Sequence, residues 1–288
     1  IGKEAFLGTA WYNNQSDGMV FAGKVLYGYK GVMPENTSIE IPFGTISIGN
    51  SAFYDCSNLT NVTIPNSVKY IGKRAFQNCT KIDNILIPDS VTAIGDSAFV
   101  YCTSIDNVVI PNSVTTIGEN IFGHCTSLKN ITIPDSITDI SYGTFSDCTN
   151  LENIAIPDGV TNIGEYAFYG CENLKNINIP NGVKSIKEST FNGCKSLINI
   201  TIPEKVTNIG DYAFTDCESL VSLVIPNSVK KIGYRAFENC SALETITIPN
   251  SVTSILESAF DGCKNLTIMG YKNSVAENYA KENEINFI

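Results

Sequence analysis

The chain has 288 residues, of which 43% are hydrophobic and 17% are charged, and its formal net charge is −10. This composition is typical of a globular protein and excludes an intrinsically disordered one. The acidic balance and the lack of Lys/Arg clusters exclude DNA, RNA and anionic lipid surfaces as partners, because those surfaces are bound by clustered basic side chains. No apolar stretch approaches the roughly 20 residues of a membrane-spanning helix, so we expect no membrane insertion.

A 23-residue phrase returns along most of the chain, beginning with IGNSAFYDCSNLTNVTIPNSVKY at Ile48–Tyr70. Two of its columns never vary. The phenylalanine column is Phe53, Phe76, Phe99, Phe122, Phe145, Phe168, Phe191, Phe214, Phe237 and Phe260. The cysteine column is Cys56, Cys79, Cys102, Cys125, Cys148, Cys171, Cys194, Cys217, Cys240 and Cys263. A fixed period of this length predicts a repeat solenoid, which grows as one domain. We expect a single domain over residues 1–288, with an N-terminal part (1–47), ten repeats (48–270) and a C-terminal cap (271–288).

The N-terminal part interrupts the repeat text. Ile1–Phe6 reads IGKEAF, like the start of a repeat, and the text resumes at Ser38–Pro42. Between them, residues 19–21 and 25–29 flank a glycine turn and predict a β-hairpin. The insert is rich in aromatic residues: Trp11, Tyr12, Phe21, Tyr27 and Tyr29. Two interpretations stay open, a hairpin that braces the first turns and an exposed aromatic platform that binds a protein or a sugar.

Each repeat reads as two short strands and a compact turn. In LTNVTI (residues 59–64) the buried positions alternate, which predicts a strand that Pro65 ends. Val68 and Ile71 indicate a second short strand, and Gly72 is expected to permit a tight bend after it. The following Ala75–Phe76 segment predicts one turn of α- or 3₁₀-helix. One cysteine per repeat, without any CxxC pair, predicts a column of buried thiols and no metal site.

Two outward columns of the first strand are candidates for a binding surface. One column carries amides, of which Asn84, Asn107, Asn130, Asn153 and Asn176 are the candidate ligand-binding residues. Stacked amides can form a hydrogen-bonded ladder along the array, or they can present a repeated face to a partner or glycan. The neighbouring column includes Leu86, Val109 and Val224, and apolar side chains on an exposed face indicate protein contact.

The last residues predict a cap. Ser274 and Glu277 have the spacing of a capping box, which predicts a helix from about residue 275 to 283. Ala276, Tyr279 and Ala280 then share one helical face, and the alternation of Ile285 and Phe287 indicates a final strand. A helix and a strand at this point would cover the open end of the core.

The sequence shows no catalytic or cofactor-binding motif. It has neither a GxGxxG nor a P-loop signature, and its single histidine, His124, precedes a cysteine that we expect to be buried. A Cys–His nucleophile requires an accessible thiolate, so we expect no enzyme activity and no cofactor.

The phrase IPxSVxxIGxxAFxxCxxLxxIxIP, repeated across residues 38–271, resembles the 23-residue leucine-rich repeats of BspA-like proteins. The resemblance implies a leucine-rich repeat fold with a curved parallel β-sheet, carried on the surface of bacteria or secreted by them. It also implies adhesion or protein binding, and it carries over no catalytic residue. We therefore predict a monomeric recognition or adhesion module for a protein or glycan, the alternative being a structural spacer that displays another domain.

Overall fold

The computed structural model describes residues 5–288 and separates into two compact units, Ile1–Ile137 (unit 1) and Thr138–Ile288 (unit 2). Residues 1–4 of the IGKEAF phrase lie outside the described residues. The single domain over residues 1–288 stays a prediction.

Between residues 5 and 137, unit 1 has one short helix and ten strands. They are α1 (Ala10–Asn13), β1 (Gly18–Ala22), β2 (Val25–Lys30), β3 (Thr37–Glu40), β4 (Ser47–Ile48), β5 (Leu59–Thr63), β6 (Tyr70–Ile71), β7 (Ala93–Ile94), β8 (Asn107–Val109), β9 (Thr116–Ile117) and β10 (Asn130–Thr132).

Unit 2 consists of twelve strands and one helix. They are β11 (Asp139–Ile140), β12 (Asn153–Ile154), β13 (Asn162–Ile163), β14 (Asn176–Asn178), β15 (Asn199–Thr201), β16 (Asn208–Ile209), β17 (Ser222–Val224), β18 (Lys231–Ile232), β19 (Thr245–Thr247), β20 (Ser254–Ile255), β21 (Thr267–Met269), α2 (Val275–Glu282) and β22 (Asn286–Phe287).

Between most neighbouring repeats the strands pair in parallel, with partner residues 23 positions apart. Within unit 1, β8 pairs with β10 so that Val108 lies opposite Ile131, and within unit 2, β14 pairs with β15 so that Ile177 lies opposite Ile200. The second strand of each repeat, such as β6, pairs with its equivalents in neighbouring repeats. These strands form separate parallel stacks, such as β4–β6–β7–β9 and β16–β18–β20. This arrangement confirms the repeat solenoid with parallel sheets and short second strands. The period fixes the register because a slip by one residue would turn the buried isoleucines outward.

The turn segment is not the predicted helix. Around Ala75 and Phe76 the chain makes successive tight turns, and Arg74 and Asn78 adopt left-handed φ angles of 56° and 63°. Left-handed residues break a right-handed helix. The backbone N–H groups of this segment form hydrogen bonds to the next repeat instead. For example, the N–H of Phe76 donates to the carbonyl of Ala98 at 2.8 Å. The turn segment therefore forms a third line of backbone hydrogen bonds along the unit.

Glycine fills the position before the turn segment in most repeats, although Ser141, Lys187 and Leu256 occupy it in three of them, and the reason differs from the predicted one. Gly72 does not lie in the left-handed region, so flexibility is not what the position demands. A Cβ at Gly72 would lie 2.6 Å from the carbonyl carbon of Gly49, and one at Gly118 would lie 2.3 Å from the backbone nitrogen of Asp96. Close approach of successive backbones therefore selects glycine here.

The phenylalanine column forms the centre of the core. Its rings stack face to face, with centroids 5.3–5.5 Å apart between Phe53 and Phe122 in unit 1. In unit 2 the spacing is 5.2–5.6 Å between Phe145 and Phe260. These phenylalanines include the largest fully buried side chains of both units, and burial and ring stacking both stabilise the core.

The cysteine column lies beside the rings, with all ten residues as thiols. Nine are buried as predicted, whereas Cys56, in the first repeat, is only half-buried. A buried thiol also has a partner that the sequence did not indicate. Cys79 Sγ donates to the carbonyl oxygen of Phe53 at 3.1 Å, and Cys171 Sγ donates to that of Phe145 at 3.2 Å. Cysteine therefore fills space and satisfies a backbone carbonyl of the preceding repeat.

The N-terminal hairpin forms as predicted. Strands β1 and β2 pair antiparallel, and β2 continues the stack of second strands by pairing in parallel with β4. The hairpin therefore braces the first turn of unit 1, in agreement with one of the two interpretations. Helix α1 was not predicted, although Thr9 caps it by accepting a hydrogen bond from the Tyr12 N–H at 3.2 Å.

The C-terminal cap is also confirmed. Ser274 Oγ accepts from the Glu277 N–H at 3.1 Å, but the Glu277 carboxylate accepts from the N–H of Asn273 instead of closing the capping box on Ser274. Tyr279 packs edge-on against Phe260 with ring centroids 5.7 Å apart, and β22 pairs in parallel with β21. The helix and strand thus cover the last ring and the last strand of unit 2.

Candidate functional site

The outward side of the first strands is the principal candidate surface, and we call it the strand face. On each strand the central isoleucine, valine or leucine is buried and its two neighbours point outward, as in Asn176 and Asn178 around Ile177. All five predicted amides are exposed there: Asn84, Asn107, Asn130, Asn153 and Asn176. The predicted outward placement is correct, and ligand binding by these residues stays a prediction.

The amides behave differently in the two units. In unit 1, Asn130 Nδ2 donates to Asn107 Oδ1 at 3.0 Å, and Asn107 Nδ2 donates to Asp106 Oδ1 at 2.8 Å. In the described residues of unit 2, no side-chain hydrogen bond joins Asn153, Asn176 and Asn199 to one another. The predicted ladder therefore accounts for Asn107 and Asn130, and the unit 2 amides keep hydrogen-bonding capacity for a ligand.

A shallow hollow of about 370 Å³ lies on the strand face of unit 2. Its lining consists of three consecutive strands. The residues are Asn153, Ile154, Ala155, Asn176, Ile177, Asn178, Asn199, Ile200 and Thr201. Amide groups offer both donors and acceptors without charge, so this surface suits a neutral polar ligand such as a peptide backbone or a glycan.

Exposed apolar side chains accompany the amides. In unit 1, Leu86 is 77% exposed and Val109 is also exposed. In unit 2, Val224 is 68% exposed, and Ile198 and Val221 are exposed as well. The sequence indicated Leu86, Val109 and Val224 but missed Ile198 and Val221. In other repeats the same column carries charged residues, such as Lys175 and Glu152, which form an ion pair at 2.9 Å. The change from charged to apolar residues at 198 and 221 was the sequence signal that could have identified these two positions.

The N-terminal aromatic residues do not form a single exposed platform. Tyr27 is only 4% exposed and contacts the rings of Trp11 and Tyr12 at centroid distances of 6.0 and 5.8 Å. Its hydroxyl accepts from the Phe6 N–H at 3.1 Å. Tyr27 is therefore the interior of a small aromatic core, whereas Trp11 is exposed on its outer side and Tyr12 is half-buried. Tyr29 is half-buried and lines a different hollow.

Trp11 borders an apolar hollow of about 390 Å³ on the outside of this core, together with Phe6, Phe21 and Ala22. It is the part of the predicted platform that a ligand can reach. Binding there stays a prediction.

The environment of Cys125 is the opposite of an activated nucleophile. Its thiol is buried, donates to the Phe99 carbonyl at 3.2 Å, and has a pKa raised to about 12 by burial. The neighbouring His124 stacks on Tyr101 with ring centroids 4.3 Å apart. A thiol in this position cannot supply the thiolate that nucleophilic catalysis requires. Within residues 5–288, no group of three or more His, Cys, Asp or Glu side chains is arranged to hold a metal ion.

Neither helix in the described part of the chain is long and apolar enough to span a membrane. The stacked parallel strands, buried phenylalanine column and exposed strand face define a leucine-rich repeat solenoid. The family model for the BspA type leucine rich repeat region (6 copies) matches residues 29–152 and 138–267. The chain belongs to the BspA-type leucine-rich repeat family.

Several solved structures are similar to this chain. A leucine rich cell surface protein from Faecalibacterium prausnitzii A2-165 is 32% identical, with a TM-score of 0.54 over 85% of this chain and 81% of that chain. A T. pallidum leucine rich repeat protein is 31% identical over 68% of this chain and 82% of that chain, with a TM-score of 0.48. The pneumococcal vaccine antigen PcpA is 21% identical, with a TM-score of 0.59 over 85% and 71% of the two chains, and shows a similar fold. No curated protein matches the sequence.

Proposed function

We propose that this chain is a non-catalytic recognition module of a secreted or surface-exposed protein, and that its strand face binds a protein or glycan partner. The observation that carries the proposal is the hollow of unit 2, whose amides form no side-chain hydrogen bond with one another, on a strand face that also exposes apolar side chains. Amides form directional hydrogen bonds with a ligand, and apolar side chains such as Val224 provide surface that is buried from water on binding. We further propose that the module acts as a monomer.

The alternative, a structural spacer, requires outward columns that are uniform and polar, since a spacer contacts nothing along its length. The strand face is irregular instead. Its outer column reads Ala155, Asn178, Thr201 and Val224 in successive repeats of unit 2. Because the side chain differs in each successive repeat, this surface can discriminate between ligands. The irregular column therefore favours a recognition module over a spacer.

The surface location rests on the family and on one similar structure. The F. prausnitzii protein, which is 32% identical, is described as a cell surface protein. A module displayed outside the cell would meet matrix proteins, mucins and glycans, and these are the partners that we propose to screen.

Saturable binding to at least one immobilised matrix protein, mucin or glycan is expected for the purified chain. The double variant Ile198→Asp, Val224→Asp should lose this binding, because two carboxylates would replace exposed apolar groups on the strand face, one next to Asn199 in sequence and one a repeat beyond Thr201. Trp11→Ala should retain it, since Trp11 lies in unit 1 on the N-terminal aromatic core. Surface plasmon resonance measures all three.

Both substitutions in the double variant are at exposed positions, so circular dichroism should show an unchanged fold. Loss of binding in Trp11→Ala alone would move the site to the N-terminal aromatic group. An absence of saturable binding across the whole panel would favour the spacer.

A further inference from the structure

A second surface of unit 2 combines tyrosine rings with carboxylates. It lies on the turn segments, away from the strand face, and consists of Tyr142, Glu165, Tyr166, Tyr169 and Glu188; we call it the tyrosine patch. The Tyr142 and Tyr166 ring centroids are 5.4 Å apart at an interplanar angle of 51°, and those of Tyr166 and Tyr169 are 5.9 Å apart at 54°. Tyr142 is 47% exposed, and Tyr169 is also exposed.

The position of Tyr166 is unfavourable for a tyrosine on backbone grounds. Its φ angle is 58°, in the left-handed region that bulky side chains rarely adopt. The equivalent residue one repeat earlier is Gly143, which adopts the same φ of 58° without steric cost. The angle belongs to the repeat position, since Ser189, Tyr212 and Arg235 adopt φ angles of 50°, 57° and 52° at the equivalent points of other repeats. The turn therefore accepts a tyrosine here and places its ring on the surface of the turn segments.

Carboxylates border the rings without a basic partner. The Tyr166 hydroxyl donates to Glu188 Oε1 at 2.8 Å, which holds that carboxylate at the hydroxyl end of the Tyr166 side chain. Glu165 and Glu188 are both exposed. Among the described residues, no lysine or arginine forms an ion pair with either of them, although Lys187 is adjacent to Glu188 in sequence. The patch is therefore aromatic and carries negative charge that is not neutralised.

The same unit already shows how such a pair binds a cation. The guanidinium of Arg235 lies 5.0 Å from the ring centre of Tyr234, and its Nη1 is 3.5 Å from Glu238 Oε1. A tyrosine face and a glutamate thus both contact one guanidinium. The tyrosine patch offers the same two kinds of group, exposed tyrosine rings and a nearby glutamate, and no cation–π contact with a lysine or arginine is seen there among the described residues.

We propose that the tyrosine patch binds an arginine side chain in a basic segment of a protein partner. A planar guanidinium can stack on a tyrosine face while it donates hydrogen bonds to a carboxylate, a combination that an ammonium group matches less well. The negative charge of the patch would also attract a basic segment before contact. This surface is separate from the strand face, and the two proposals fail or succeed independently.

A fluorescent peptide that alternates glycine and arginine tests the proposal by fluorescence anisotropy with the full chain. A matched peptide with citrulline in place of arginine keeps the shape and removes the charge. The expected result is saturable binding of the arginine peptide alone. The double variant Tyr142→Ala, Tyr169→Ala should weaken it roughly three- to tenfold, because it removes two exposed rings from the patch.

Glu188→Gln removes one charge at the patch, and Glu204→Gln removes one charge at an exposed position elsewhere in unit 2. The first should weaken binding and the second should not, which separates a local site from attraction by the overall charge of −10. Tyr271→Ala is the matched control for loss of an exposed tyrosine. The proposal is overturned if wild type does not bind the arginine peptide, if the citrulline peptide binds equally, or if the patch variants bind like their controls.

Discussion

Replacing Phe191 by alanine is expected to lower the free energy of unfolding by about 3–5 kcal/mol. Phe191 is fully buried between Phe168 and Phe214, whose ring centroids lie 5.6 and 5.4 Å from its own. Its removal leaves a cavity bounded by two rings that the backbone ladders hold at a fixed spacing, so the core cannot collapse around it. Urea denaturation followed by circular dichroism measures the loss.

Phe43→Ala is the matched control, because Phe43 is 86% exposed and its removal should change stability by less than about 0.5 kcal/mol. A loss below about 1 kcal/mol for Phe191→Ala would contradict the role assigned to the phenylalanine column. A local loss of structure confined to the turns near Phe191 would appear as a smaller slope of free energy against urea concentration.

Raising the pH above 9 is expected to destabilise the chain steeply. Burial is the first cause of a raised thiol pKa in three cysteines of each unit. They are Cys79, Cys102, Cys125, Cys171, Cys194 and Cys217, whose ordinary pKa is 9.0. Below pH 9 a thiol is protonated in both the folded and the unfolded state, so its contribution to the free energy of unfolding is fully present. Above it the unfolded chain releases the proton while the folded chain keeps it, so stability falls until the folded pKa is reached.

At about pH 10 the three thiols of one unit together should cost about 4 kcal/mol of stability. Urea titrations at a series of pH values measure this slope. Cys194→Ala is the control: it is less stable at neutral pH, but its stability should fall about 1.4 kcal/mol less per pH unit above 9. The difference removes the contribution of tyrosine ionisation, which both proteins share. Equal slopes for the two proteins would show that Cys194 does not resist ionisation in the folded chain.

Much of the fold could be predicted from the sequence because the repeat reports the same structural position ten times. One phenylalanine per period identifies a core position, and the text between two such residues is long enough for only two short strands and a turn. The hairpin and the C-terminal cap were predictable because Gly23 and Ser274 provide strong local signals at points where the repeat text stops.

The turn segment could not be read in the same way. Ala75–Phe76 has the local composition of a helix, and the left-handed φ angles belong to residues such as Arg74 and Tyr166 that rarely adopt them. What selects this conformation is the line of hydrogen bonds to the next repeat, which is a property of the stack. A single repeat does not reveal it.

The candidate site was predicted in part. The outward amides follow from strand alternation, but which of them form hydrogen bonds with one another depends on the spacing between repeats and on side chains such as Asp106. The aromatic insert has no period, so nothing in its sequence separated the buried Tyr27 from the exposed Trp11. Ile198 and Val221 were visible only as departures from a charged column.

The strand face is the central element of the proposed function, and a dissociation constant tests it most directly. The partner found in the binding screen should be titrated against the wild type, Asn176→Arg and Asn61→Arg. Asn176 lies in the hollow of unit 2, whereas Asn61 occupies the same exposed column in unit 1. An arginine at 176 would fill the hollow and should weaken binding at least about tenfold, while Asn61→Arg should bind like the wild type. Unchanged binding by Asn176→Arg would show that the partner is held elsewhere on the chain.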